Sequence, residues 1–291
     1  MTPLNGVLPV DKPSGPTSHD IVAIARRALG IRRIGHTGTL DPFASGLLLL
    51  CLGPATRLAE YLSGLPKSYA ATMRLGVTTT TDDPEGEVLE SSDRWRDVSI
   101  DDLRAALQTQ TGDLQQVPSR YSAKKVDGER MYDVARRGGV VDLKAVPVTV
   151  TRLELQRFDP PDADFIVDCS SGTYIRAIAR DVGQILQVGA HLTRLRRTGI
   201  GQFDVTAALS LDDLVDPALV QCALLPPARA VSHLAARTTT PEEAALLGHG
   251  SRIVVGSAAG EGQVALLSQA GDLLAIGEVD GEWIRPRKVF Q

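Results

Sequence analysis

Cysteine is nearly absent: Cys51, Cys169 and Cys222 are the only three in 291 residues, and no two stand in C-x-x-C spacing. An odd, scattered set excludes a disulfide framework. The five histidines, at 19, 36, 191, 233 and 249, form no H-x-x-x-H pair and have no cysteine at metal-ligand spacing, so no zinc or other metal site is expected. Neither G-x-x-x-x-G-K-[ST] nor a G-x-G-x-x-G between strand and helix occurs, so no nucleotide cofactor is expected and the chemistry falls to side chains alone. Long apolar runs are missing as well. The longest, Leu47 to Leu52, is six residues, against the roughly 20 that a membrane-spanning helix needs. The N-terminus, MTPLNGVLPVDKPSG, has no charged region followed by an apolar one. The expectation is a cytoplasmic protein with no membrane contact.

What is present is an ordinary globular balance, 43% hydrophobic and 23% charged, in a length that suggests two domains. The net charge of -4 looks wrong for a nucleic-acid partner, but the bases are unevenly placed. Residues 21–40 carry Arg26, Arg27, Arg32 and Arg33 and no acid. Residues 170–200 carry Arg176, Arg180, Arg194, Arg196 and Arg197 against Asp181 alone. Residues 115–145 hold seven bases against four acids. Charges act over roughly 8–10 Å in physiological salt, so such segments can build a phosphate-binding face on an acidic protein. The same charges also suit solvated helix faces.

The pattern of elements reads as α+β followed by a small β-rich module. After an extended GVLPVDKPSG lead-in, Ser18 is placed to cap a helix over 19–29 that Gly30 stops. GLLLLCLG reads as a buried strand, 55–62 as a short helix closed by Gly64, and 69–77 as a strand. TTTTDDPEG is a polar turn, and Ser99 with Asp102 forms a capping box opening a helix to about Gln110. Residues 112–145 read as a basic insertion whose DVARRG end is helical. VPVTVTRLELQRF and DFIVDCSSG read as strands, and YIRAIARDVGQIL as a helix with Arg176 and Arg180 on one face. The domain boundary is placed near 228, giving units 1–228 and 229–291. In the second, Thr240-Pro241-Glu242-Glu243 starts a helix and short strands follow in a small β-barrel pattern.

Within this frame GHTGTLDPFASG, residues 35–46, crowds three glycines, a histidine and Asp41 into a loop before a buried strand. Such loops commonly carry function, although Asp41-Pro42 could simply form a turn. Asp82-Asp83, Lys67 with Tyr69, and SGTYIR with Arg176 complete the candidates.

Seven blocks in order, GVLPVDKPSGPTSHDIV, IGHTGTLDPFASGLLLLCLGPATR, the K-x-Y of Lys67 and Tyr69, TTTTDDPEGE, YSAKKVDGERMYDVARRG, DCSSGTYIRAIARDVG and LRRTGIGQF, make the chain resemble the bacterial tRNA pseudouridine-55 synthases of the TruB type. The resemblance spans most of residues 5–210. It implies a pseudouridine synthase fold, a mixed and largely antiparallel sheet flanked by helices, with a small C-terminal PUA-like RNA-binding β-barrel. It implies that Asp41 is the essential aspartate, Arg176 its partner, and Tyr69 the aromatic that packs on the base. Asp83 would contact RNA near the flipped nucleotide, His36 would fill space vacated in the RNA loop, and Leu195 would line the pocket. Lys12 and Pro13 would buttress the active loop, while Lys67, Arg196 and Arg197 stand in matching blocks as RNA contacts. Two departures stand out: Pro118-Ser119 replaces the usual Pro-Pro, and the C-terminal module is short and acidic.

The chemistry agrees with that resemblance. Making pseudouridine breaks the N1–C1′ bond, turns the uracil and joins C5 to C1′, with no redox step and hence no cofactor. A carboxylate beside the ribose can attack C1′ or take the C2′ proton. An arginine beside it would keep it ionised by lowering its pKa. The expected partner is the T-arm stem-loop of tRNA, bound by a monomer. The alternative is a tRNA-binding folding chaperone that works without modification, for which the set Asp41, Tyr69 and Arg176 would have no use.

Overall fold

The computed structural model describes residues 4–119, 144–256 and 262–290, with the backbone of two short strands at 125–126 and 129–130. Strand β1 (Gly6–Lys12) is apolar enough to be buried on both faces, and it leads into helix α1 (Ser18–Leu29). Thr17, not Ser18, is the N-cap: its hydroxyl accepts from the Asp20 N–H, and Asp20 returns a bond to the Thr17 N–H. The capping-box spacing was present in the sequence one residue upstream of the expected cap. Ser18 is thereby free to turn inward. Gly30 ends the helix in the left-handed region, as expected.

Strands β2 (Ile34–Thr37) and β3 (Ser45–Leu52) flank the active loop, so part of the segment expected as loop is strand. Four mixed-polarity residues carry no alternation of their own, and β2 exists because it pairs with β3, Ile34 opposite Leu52. A 3₁₀ turn (Gly53–Leu58) runs into α2 (Ala59–Ser63), which Gly64 caps. Next come β4 (Lys67–Leu75), the hairpin β5 (Val77–Thr79) and β6 (Val88–Ser91) around the acidic turn, and α3 (Ile100–Thr109) with the expected Ser99–Asp102 box.

β7 (Gly112–Gln116) opens the segment expected as an insertion, followed by β8 (Lys125–Val126) and β9 (Glu129–Arg130). The helix expected at DVARRG lies outside the described residues. β10 (Val146–Asp159), β11 (Asp162–Cys169), α4 (Ile175–Ile185), β12 (Ala190–Ile200) and β13 (Phe203–Asp204) follow.

The main sheet runs β1-β3-β12-β4-β11-β10-β7, with β2 added on β3 and β13 on β12. Every pairing is antiparallel except β12 with β3, where Arg197 faces Gly46. The mixed, largely antiparallel sheet is therefore as expected. Gly46 is required at that crossover. Its φ is +104°, and a Cβ there would lie 2.2 Å from the Arg197 carbonyl oxygen. α3 and α4 cover one face of the sheet through Phe165, Leu103, Ile178 and Val182, and α1 packs over β1 and β3 through Ile21 and Leu50.

Beyond residue 234 a curled five-stranded sheet forms half of a barrel, in the order β14 (Ala235–Thr238), β16 (Gln263–Leu267), β17 (Leu273–Asp280), β18 (Trp283–Val289) and β15 (Ile253–Val254). It fits a PUA-like module, with the expected helix starting at the Thr240 cap. The module does not stand apart. Ala265, Leu273 and Ile276 share a core with Leu49, Leu58 and Phe203, and Lys288 pairs with Glu60 at 2.9 Å. Among the described residues no helix is long and apolar enough to cross a membrane.

Candidate active site

The loop between β2 and β3 is held from beneath by the N-terminal segment. The Ser18 hydroxyl, turned inward by the Thr17 cap, accepts from the Leu40 N–H at 2.9 Å and donates to its carbonyl at 3.3 Å. Lys12, fully buried, donates from Nζ to the carbonyls of Pro13, Pro42 and Ala44 at 2.9, 3.3 and 2.7 Å. Burial pulls its pKa down to about 8, with Asp41 opposing and Arg197 adding to the fall. Pro42 also accepts from the Gly15 N–H, and the Ala44 N–H closes a turn on the Asp41 carbonyl. Asp41 is thus presented on a fixed turn, its side chain about one-third exposed (34%).

Arg176 comes from the first turn of α4 and is almost wholly buried. Its Nε lies 3.1 Å from an Asp41 carboxylate oxygen, and one terminal nitrogen lies 2.8 Å from Asp83 and 2.9 Å from the Thr81 carbonyl. Asp83 is itself buried, and it also accepts from the Glu85 N–H at 3.0 Å and from the Thr81 hydroxyl. Asp82, next to it, takes a left-handed backbone at φ +59° and pairs with Arg180 at 3.3 Å. Arg176 and Arg180, one helical turn apart, are therefore matched to two adjacent aspartates.

Arg176 does pull the Asp41 pKa down, as expected of an arginine partner, but the net shift is upward. Burial pushes the Asp41 carboxyl up; Arg176 opposes this, the Asp83 charge adds to the rise, and Lys12 pulls down. Burial is the largest of these influences and outweighs the guanidinium 3.1 Å away, which also faces buried Asp83 at 2.8 Å.

Tyr69, on β4, lies beside the Arg197 guanidinium, and burial pushes its phenol pKa up, with Arg197 opposing. Arg197 is 1% exposed and donates to the carbonyls of Leu47 at 2.7 Å and Gly38 at 3.1 Å. Lys67 donates to the carbonyls of Ser63 and Leu65 at 2.5 and 2.6 Å, and burial lowers its pKa to about 8. A cavity of about 250 Å³ opens among these groups, with Asp41, Lys67, Tyr69, Arg176, Leu195 and Arg197 all on its wall.

The sequence also matches two family models. Residues 26–175 match the TruB family pseudouridylate synthase N-terminal domain, and residues 176–226 match the tRNA pseudouridylate synthase B C-terminal domain. This chain belongs to the TruB family of pseudouridylate synthases. A tRNA pseudouridine synthase B from Arthrobacter sp. (strain FB24) is 43% identical over 300 residues, covering 99% of this chain and 97% of its own length. Another, from Mycobacterium bovis, is 49% identical over 219 residues, 74% of this chain and 73% of the relative. Among solved structures, a chain from an H/ACA ribonucleoprotein bound to a substrate RNA containing 2′-deoxyuridine superposes with a TM-score of 0.77 at 27% identity. That match covers 98% of this chain and 85% of the other.

Four of the site residues inferred from the TruB resemblance lie off the cavity wall. Lys12 sits under the loop and Asp83 behind Arg176. His36 lies on β2 with its ring edge-on to His19, centroids 5.2 Å apart; its Nδ1 is buried without a hydrogen-bond partner, and burial lowers its pKa. Arg196 points to the opposite face of β12 from Leu195 and Arg197, where it forms a two-bond pair with Asp11 at 2.9 and 2.6 Å. The geometry adds Ser18, Thr81, Tyr174 and Gln116, none of which was named as a site residue from the sequence. Only Ser18 had a signal, the Thr17-x-x-Asp20 spacing that reassigns the cap and leaves a buried hydroxyl beside it.

Proposed function

We propose that this TruB-family chain converts a single uridine, position 55 in the T-loop of tRNA, to pseudouridine, with Asp41 acting at the ribose of a nucleotide turned out into the cavity. Relatives named tRNA pseudouridine synthase B, similar over nearly the whole chain, make it an isomerase acting on tRNA. The observation that carries the finer reading is the convergence of one part-exposed carboxylate, a buried arginine and a tyrosine face on one cavity.

The N1–C1′ bond must break and C5 must take its place at C1′, with the C5 proton lost and N1 regaining one. An ionised Asp41 assists either by attacking C1′ as uracil leaves through N1, C5 then displacing the carboxylate from C1′, or by removing the C2′ proton and returning it as C5 bonds to C1′; both routes need the carboxylate. Arg176 holds that carboxylate in place at 3.1 Å while Asp83 anchors the arginine from behind. Leaving the stack costs the nucleotide a few kcal/mol, which Tyr69 and Leu195 offset by offering an aromatic and an apolar face.

Because burial raises the pKa of Asp41, its ionised form, and hence turnover, is complete only above that raised value and fades as pH falls through it. Single-turnover rates against pH should therefore show an acid limb with its midpoint above the ordinary carboxylate value of about 4. A midpoint at or below that value would contradict the account of the site.

Arg27, Arg32 and Arg194 are exposed and available to phosphates, whereas Arg197, inferred with them from the sequence, is interior. Binding to tRNA should weaken steeply with salt in spite of the charge of -4, because counterion release follows local phosphate contacts. A flat plot of log affinity against log salt concentration would remove the basic face. The T-arm assignment itself is tested with an isolated T-arm hairpin. Turnover of the hairpin is expected; modification of intact tRNA with none of the hairpin would overturn it.

A further inference from the structure

The wall of the cavity that carries Arg176 is not self-supporting. It is the turn Gly172–Thr173–Tyr174 running into α4, and the first residue of that boundary, Tyr174, has no side-chain cap. Instead its backbone is gripped from another element. The Gln116 side chain at the end of β7 accepts from the Tyr174 N–H at 2.8 Å and donates to the Tyr174 carbonyl at 3.1 Å. One carboxamide thus bonds both backbone polar groups of one residue 58 positions away, the carbonyl also accepting from the Ala177 and Ile178 N–H groups of α4 at 3.1 and 3.3 Å. Gln116 is 3% exposed and absent from the cavity wall, so it touches neither the cavity nor Asp41.

The residues after Gln116 are fastened to the same machinery. Arg180 of α4 donates to the Val117 carbonyl at 2.9 Å, and the Ser119 hydroxyl donates to Asp82 at 2.7 Å, beside Asp83. The stretch 116–119 is therefore bonded to the helix that bears Arg176 and to the turn that bears its second aspartate. These bonds tie the end of β7 to two elements, α4 and the acidic turn, that the Arg176–Asp83 and Arg180–Asp82 pairs already join to each other. A buried amide with both ends used at one backbone position specifies geometry, since a shift in either partner takes from the Tyr174 N–H and the buried Gln116 carboxamide the bonds they make to each other.

We propose that Gln116 is a positioning residue for the isomerisation: by clamping the Tyr174 backbone it fixes the start of α4 and so holds Arg176 in register with Asp41. The role rests on the functional reading above. It acts on the step after binding. A displacement of about 1 Å at a reacting group costs on the order of a hundredfold in rate while leaving most of a large RNA interface intact. It also acts on the charge of Asp41. The charged and titratable groups around that carboxylate are Arg176, Asp83 and Lys12, with Glu85 and Tyr69 also feeling its charge, and Arg176 is the largest influence holding its pKa down. An arginine that drifts from Asp41 leaves burial and Asp83 less opposed, so the carboxyl titrates at higher pH.

The test uses the full chain with an unmodified tRNA transcript. Gln116→Met keeps the length of the side chain and removes both bonds. Gln116→Glu keeps the acceptor for the Tyr174 N–H and sets a carboxylate oxygen against its carbonyl. For both, single-turnover kcat should fall, by about tenfold to a hundredfold for Gln116→Met, with tRNA affinity within about twofold and the acid limb moved to higher pH. A purely structural role would lower the folded fraction without moving that limb. Folded Gln116→Met with wild-type kcat, or with KM raised and kcat and the limb unchanged, overturns the proposal. Should Gln116→Met fail to fold, Gln116→Glu decides alone by the same criteria. A wild-type chain inactive on this tRNA overturns the functional reading and this role with it, whereas an active wild type matched by both variants overturns only the role of Gln116.

Discussion

Asp41→Asn should abolish isomerisation while tRNA affinity stays within a few-fold. The amide has the shape of the carboxylate, and its oxygen can still accept from the Arg176 Nε now 3.1 Å away. The fold should be little affected, because Asp83 stays in place as the buried counter-charge at 2.8 Å. What is lost is the negative charge at the ribose, which serves the transition state and not the bound ground state. Removing a nucleophile or base of this kind costs roughly 10⁴-fold or more in kcat. Filter binding and single-turnover kinetics on the same preparation separate the two effects. Measurable turnover near the wild-type rate would remove Asp41 from the chemistry.

Arg176→Lys should be nearly as damaging for a different reason. The guanidinium reaches Asp41 through Nε and, through a terminal nitrogen, both Asp83 and the Thr81 carbonyl, all within 3.1 Å. An ammonium on a flexible stem has no such planar fork, so it can face one aspartate at the expense of the other. Either choice hurts. Facing Asp83 frees Asp41 to swing and to titrate higher; facing Asp41 leaves a buried carboxylate short of its partner, and losing such a partner outright costs about 3–5 kcal/mol. The expected result is a kcat lowered by roughly 10²–10³-fold, in line with losing a transition-state contact of a few kcal/mol, together with a lower thermal midpoint. Wild-type rates would reduce Arg176 to an ordinary structural ion pair.

Much of this arrangement was legible because it rests on local rules. The Ser99–Asp102 and Thr240–Glu243 boxes, the Gly30 stop and the buried strand Ser45–Leu52 are each set by a few neighbouring residues. The resemblance picked out Asp41, Tyr69, Leu195 and Arg176, which share the cavity wall. What was not legible depends on contacts between distant segments. β2 is a strand only through its pairing with β3. Lys12 was placed under the loop by the resemblance alone; its burial rests on the carbonyls of Pro42 and Ala44, some thirty residues away, which no local pattern announces. Arg196 and Arg197 are indistinguishable as neighbours in LRRTGIGQF, yet strand alternation sends one to Asp11 and the other inside. The direction of the Asp41 pKa turned on how far burial outweighs Arg176, a balance with no sequence signature. Gln116 belongs to the same class, since its partner lies 58 residues away.

The central claim is that one carboxylate in this cavity rewires one uridine of tRNA, and nucleotide-resolution mapping of pseudouridine tests it most directly. An unmodified full-length tRNA transcript is incubated with the wild-type chain or with Asp41→Asn, treated with carbodiimide and read by primer extension, with mass spectrometry of the digest alongside. The account predicts a single new pseudouridine, at position 55 in the T-loop, with the wild-type chain and none with Asp41→Asn. Pseudouridine elsewhere, at several sites, or equally with both proteins would contradict it.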